Sequence, residues 1–213
     1  MKIETAGAVR IKICGITNSE DALSAAELGA DAIGFVFARS PRQISPEKAR
    51  AIIMTLPPLV HTVGVFVDED HERVQSIAAS CHLHLLQFHG KESPTYCRRF
   101  KRRVIKAMRV QDRSHLEACS EYSNVVDALL LDTYIPGKHG GTGLTFDWNL
   151  ALEAKKYGRI FLAGGLNPDN VAAAISMVNP YAVDASSSLE QKPGIKDHEK
   201  MARFIHAVRH AGR

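Results

Sequence analysis

Two side chains with opposite acid–base habits close two of the chain's apolar runs. Cys14 ends Val9-Arg-Ile-Lys-Ile-Cys14, and Asp132 ends Val125-Val-Asp-Ala-Leu-Leu-Leu-Asp132. A thiolate can remove a proton from carbon and a carboxylic acid can protonate an oxygen leaving group, so the two together are equipped for acid–base isomerisation. Each starts from the wrong protonation state. Near neutrality an isolated thiol is mainly protonated and an isolated aspartate mainly ionised, so a working site must assist both. The plainer alternatives are a semi-buried thiol and a strand-end carboxylate that caps a turn.

A second group of residues is suited to holding anions. Ala163-Gly-Gly-Leu-Asn167 brings Gly164 and Gly165, and Asp184-Ala-Ser-Ser-Ser-Leu-Glu190 brings Asp184, Ser186 and Ser187. Unhindered backbone N–H groups and hydroxyls of this kind suit a phosphate. Arg42, just after Ser40-Pro41, can grip a carboxylate with two parallel hydrogen bonds. Gln87 and His89, in Gln87-Phe-His-Gly90, are further candidates to meet a ligand.

These residues need a scaffold that gathers distant loops. Branched Val9, Ile11 and Ile13 alternate with Arg10 and Lys12, which predicts a first strand with Arg10 and Lys12 on its polar face. Asn18-Ser-Glu-Asp21 then supplies caps for a helix near Ser19–Leu28, closed by Gly29. The pattern repeats as strands over 31–37, 60–67, 83–88, 103–108, 125–132, 159–163 and 180–184, each followed by a helical stretch. Ser45 before Pro46 and Ser93 before Pro94 mark two of the helix starts. Eight strand-then-helix units with none left over predict an α/β protein of one class, a single (β/α)8 TIM barrel, rather than a doubly wound sheet. In such barrels chemistry gathers at the carboxyl ends of the strands, and phosphate is commonly held after strands seven and eight.

At 213 residues with 45% hydrophobic composition the chain can bury one continuous core. Residues 1–8 read as a lead-in, and residues 9–213 as the barrel domain. No apolar run reaches about 18 residues and no leader pattern follows Lys2, so the expected location is the cytoplasm, away from membranes. Cys14, Cys81, Cys97 and Cys119 form no CxxC pair, which argues against a zinc site or a disulfide scaffold. No HExxH or similar cluster suggests a metal. The formal charge of +4 is concentrated between Arg98 and Arg113, where eight basic residues face the single acid Asp112. That stretch could meet a nucleic-acid backbone, but no recognition motif accompanies it, and a solvated helix end is the simpler expectation.

The ordered set of segments resembles the phosphoribosylanthranilate isomerase family. It includes Lys12-Ile-Cys-Gly-Ile-Thr17, Gly34-Phe-Val-Phe37, Ser40-Pro-Arg42, Leu86-Gln-Phe-His-Gly90, Leu131-Asp132, Gly140-Gly-Thr-Gly143, Leu162 to Asn167, and Val183 to Glu190 with Lys192-Pro-Gly-Ile-Lys-Asp197. The resemblance spans nearly the whole chain. It implies an Amadori rearrangement of a small phosphorylated substrate without cofactor or metal; no nucleic-acid partner is expected, and the sequence leaves monomer and homodimer both open. It also implies that Asp132 is the general acid, Cys14 the general base, and Arg42 the partner of the substrate carboxylate. Phosphate would lie at Gly164, Gly165, Ser186 and Ser187, and the segment from Thr133 to Thr145 would cover the site with Gly141 and Thr142 near the substrate. One departure stands out: Ser188 occupies the place of a family glycine. A positive φ there would strain a serine by roughly 1 kcal/mol.

Related phosphate-binding barrels are the competing enzymes. An indole-glycerol-phosphate synthase would want a catalytic lysine on an early strand, and Lys12 is expected on a polar face. A pentose-phosphate epimerase would want metal ligands.

Overall fold

The computed structural model describes residues 8–133 and 147–211. Eight parallel strands close into a barrel in sequence order: β1 (Arg10–Cys14), β2 (Ala32–Val36), β3 (His61–Phe66), β4 (Leu85–Phe88), β5 (Arg103–Val110), β6 (Ala128–Thr133), β7 (Ile160–Leu162) and β8 (Ala182–Ala185). The ring is completed by β1 against β8, with Lys12 opposite Asp184. The helices between and after them are α1 (Ser19–Glu27), α2 (Pro46–Ile53), α3 (His71–Ser80), α4 (Pro94–Cys97), α5 (Arg113–Tyr122), α6 (Trp148–Ala154), α7 (Val171–Val178) and α8 (His198–His210). The expected single (β/α)8 TIM barrel is the fold found.

The helices begin where short polar side chains take up the free N–H groups of the first turn. Asn18, Ser45, Asp70, Ser93, Asp112, Asp147 and Asp197 each accept a backbone N–H from the helix they open. A cap of this type contributes about 1 kcal/mol.

Strand alternation divides the core in two. Ile11, Ile13, Leu129, Leu131, Leu162 and Val183 pack outward under the helices. Val63, Ile105, Ala107, Leu130, Phe161, Ala163 and Ala182 fill the barrel interior. Because successive residues of a strand point to opposite faces, Lys12 and Cys14 share the interior face of β1. By the same rule Gln87 shares that of β4, Asp132 that of β6, and Asp184 that of β8.

Three expectations are corrected. Lys12 does not lie on a solvated polar face: it is fully buried, because the inward face of β1 is the barrel interior. After β8 the chain forms an unforeseen antiparallel hairpin, β9 (Glu190–Lys192) with β10 (Ile195–Lys196), before α8. The basic stretch is not one solvated surface either, since Lys106 is buried. Its ammonium donates to Glu92 at 3.1 Å and to the carbonyls of Phe88, Gly90 and Ala107. Glu92 in turn accepts the backbone N–H of Asp68 and Gly90, so this ion pair ties together the loops that leave β3 and β4.

All four cysteines are unpaired and buried. Among the described residues no helix is long and apolar enough to cross a membrane.

Candidate active site

Cys14 ends β1 at the mouth of the barrel and is 7% exposed. Its backbone partner across the sheet is Gly34 of β2. A Cβ on Gly34 would lie 2.8 Å from the Cys14 Sγ and 3.2 Å from the Lys12 Nζ, so the thiol and the ammonium converge over this glycine. Lys12 donates to Asp184 Oδ1 at 2.7 Å. Burial pushes the Cys14 thiol above its ordinary range, while the positive charges of Lys12 and Lys196 pull the other way. For Lys12 burial opposes the charge, but the attraction of Asp184 and Cys14 outweighs it and raises its pKa. The ammonium is therefore held as a cation beneath the thiol.

Arg42 reaches the same mouth from the loop after β2, lying across Gly15. That glycine has φ +77°, and a Cβ there would sit 2.6 Å from Arg42 Cδ. The Arg42 guanidinium is engaged by Glu190 in a two-pronged pair, Nε to Oε1 at 2.7 Å and an Nη to Oε2 at 2.6 Å. Lys196 donates to the same carboxylate at 3.0 Å. Burial alone would raise the Glu190 pKa; the Arg42 fork and the Lys196 charge overcome it and hold the group below the usual glutamate range. A carboxylate is thus what Arg42 already binds here.

On the far side of the mouth, Asp132 ends the inward face of β6. His89 Nε2 lies 3.3 Å from Asp132 Oδ2, and Gln87 Nε2 lies 3.2 Å from His89 Nδ1. Gln87, His89 and Asp132 thus form one chain of polar contacts along this rim. Gln87 is buried with its Oε1 unpartnered, an acceptor available to a ligand hydroxyl. Arg109 pairs in register with Asp132 across β5 and β6.

Gly164 and Gly165 both take positive φ, +76° and +69°. Two successive positive φ values make a tight turn that side chains would strain, and the absence of a Cβ leaves the backbone there open to close approach. The loop after β8 adjoins it: Ser188 Oγ donates to the Leu166 carbonyl. Ser186 Oγ donates to the Cys14 carbonyl at 3.0 Å, which ties the same loop to the end of β1. A short 3-10 turn, Ser187–Leu189, follows. Ser188 is not among the residues of positive φ, so the serine in place of glycine is unstrained and adds a hydrogen bond between the two loops.

Cys14, Arg42, Gln87, His89, Asp132, Gly164, Gly165, Asp184, Ser186 and Ser187 all stand at the carboxyl-terminal end of the barrel. Gly141 and Thr142 lie outside the described residues. The sequence reading missed Lys12, Glu190 and Lys196. Lys12 was legible in principle, since a residue two before an inward Cys14 must also face inward. Glu190 and Lys196 depend on the hairpin β9–β10, which carried no strand signal of its own.

A closed parallel barrel with a thiol and carboxylates around one mouth places the protein among the (β/α)8-barrel enzymes. The model of the N-(5′-phosphoribosyl)anthranilate (PRA) isomerase family matches residues 11–207. An N-(5′-phosphoribosyl)anthranilate isomerase of Geobacter sp. (strain M21) is 56% identical over 197 residues, covering 92% of this chain and 96% of the relative. The crystal structure of phosphoribosyl anthranilate isomerase from Thermotoga maritima has a TM-score of 0.87 at 46% identity, covering 94% of this chain and 98% of that one. A further structure of the isomerase, in complex with reduced 1-(o-carboxyphenylamino)-1-deoxyribulose 5-phosphate, has a TM-score of 0.85 at 44% identity over the same shares. The chain belongs to the N-(5′-phosphoribosyl)anthranilate isomerase family, and it is an isomerase of tryptophan biosynthesis.

Proposed function

We propose that Cys14 and Asp132 carry, as base and acid, the Amadori rearrangement that family membership assigns to this enzyme. Asp132 protonates the ribose ring oxygen of N-(5′-phosphoribosyl)anthranilate as the anilino nitrogen's electron pair opens the ring to a Schiff base. The Cys14 thiolate then takes the proton from the sugar C2′, and the resulting enolamine tautomerises to 1-(2-carboxyphenylamino)-1-deoxyribulose 5-phosphate. What carries this reading is that both side chains end inward-facing positions, on β1 and on β6 three strands away around one closed ring, so both reach the same mouth.

The other contacts follow from the same orientation. The phosphate is held by Gly164, Gly165, Ser186 and Ser187, while Arg42 meets the anthranilate carboxylate, for which Glu190 is the resident analogue. Gln87, His89 and Asp184 meet the ribose hydroxyls. Gly141 and Thr142, outside the described residues, also meet the substrate. The catalytic unit runs from residue 9 to the end of the chain, and the enzyme acts in the cytoplasm as a monomer or homodimer on a small phosphorylated substrate.

The test is the loss of anthranilate fluorescence with substrate generated in situ. Cys14→Ala and Asp132→Asn should each cut turnover by at least about 10²-fold with the fold intact. Near-wild-type turnover in either variant removes that residue from its role.

A further inference from the structure

We propose that Lys12 is the positioning residue that makes the Cys14 thiolate accessible, holding a buried cation against the sulfur from within the barrel. The inference deepens the reading of Cys14 as base and rests on it. Its geometry is independent of any substrate. The position of a Gly34 Cβ lies 2.8 Å from Sγ and 3.2 Å from Nζ, which keeps the pair within the roughly 4–6 Å over which an opposite charge favours the ionised form. Lys12 is fully buried and donates to Asp184, whose side chain is 10% exposed, so the ammonium can neither swing to solvent nor be screened by it.

The groups around the thiol come from four elements. Lys12 lies on its own strand, Asp184 on β8, Lys196 on β10 and Arg42 in the loop after β2. Glu190 engages both Lys196 and Arg42 with short bonds, so much of their charge is answered. Asp184 answers Lys12 in part, but it meets only one edge of the ammonium. Of the three cations, Lys12 is the one that acts on the sulfur most strongly, ahead of the opposing Asp184. Burial already pushes the thiol up, and without Lys12 the largest opposing influence on it would be gone. Gly34 is part of the same device, since any side chain there would occupy the space in which sulfur and nitrogen meet.

The test reads the ionisation of Cys14 directly, without turnover. The rate of alkylation of the Cys14 peptide by iodoacetamide is followed by mass spectrometry from pH 7 to 11. Cys97 and Cys119 provide internal references, their buried thiols being pushed up to about 11. Lys12→Met should slow Cys14 alkylation at pH 8 by about tenfold and move its profile up by about one unit, while Lys12→Arg restores most of the wild-type rate. Should Lys12→Met fail to fold because Asp184 is left unpaired, Lys12→Met/Asp184→Asn compared with Asp184→Asn reads the same tenfold. An alkylation rate within twofold of its reference in either comparison overturns the proposal. Because alkylation reports the sulfur alone, this failure is distinct from that of the base assignment, which Cys14→Ala turnover decides.

Discussion

Removing the acid of Glu190 tests the charged cluster on which the substrate's carboxylate end depends. The side chain is 4% exposed and faces Arg42, 19% exposed, and Lys196, fully buried. In Glu190→Gln the neutral amide keeps one acceptor, and two cations lose their counter-charge. Breaking a buried ion pair costs about 3–5 kcal/mol; the partial exposure of Arg42 and the remaining acceptor place the expected loss at the lower end, about 3 kcal/mol. Urea unfolding at pH 7 measures it, with an unchanged slope showing that the native state stays as compact. A second reading comes from kinetics. With its fork no longer held across Gly15, Arg42 is less well placed for a carboxylate, so KM should rise about tenfold, equivalent to about 1.4 kcal/mol. The proton transfers do not pass through Glu190, so kcat should change little. A loss below about 1 kcal/mol together with an unaltered KM would mean that solvent screens the cluster as it does surface pairs, and the reasoning would fail.

Glu190 also sets a pH dependence. Its folded pKa lies below the ordinary glutamate value, so its contribution to stability is complete above about pH 4.3 and is lost as the pH falls through the lower folded value. Urea midpoints taken between pH 7 and 3 should therefore fall more steeply in the wild type than in Glu190→Gln. Gly165→Ala should cost roughly 1–2 kcal/mol of backbone strain at φ +69° and weaken competitive inhibition by inorganic phosphate; unaltered inhibition would place the phosphate elsewhere. Lys106→Met leaves Glu92 buried without its cation and should destabilise by about 3–5 kcal/mol, with faster hydrogen exchange at the Asp68 and Gly90 amides that Glu92 accepts. Protection unchanged at both amides would show that Lys106 does not hold that loop pair.

The architecture was legible because its signals are local. Apolar strands that end in Gly15, Gly90 and Gly164, together with capped starts at Asn18, Ser45 and Ser93, repeat often enough that chain order alone implies a closed parallel ring. A closed ring then sends every strand's carboxyl end to one mouth, which is why Cys14, Arg42, His89, Asp132, Gly165 and Ser187 could be named together before any coordinates. The electrostatics were not legible. Whether Lys12 is a surface charge or a buried one depends on which side of β1 becomes the interior, and that side exists only after β1 has paired with both β2 and β8. Glu190 reaches Arg42 across 148 residues of sequence, and Lys106 is enclosed by a loop from a neighbouring strand. Which groups can exchange protons and bind anions is readable from the order of residues, because that chemistry belongs to side-chain type. How strongly each is charged is set by folding, because burial and the distance to a counter-charge arise only when remote segments meet.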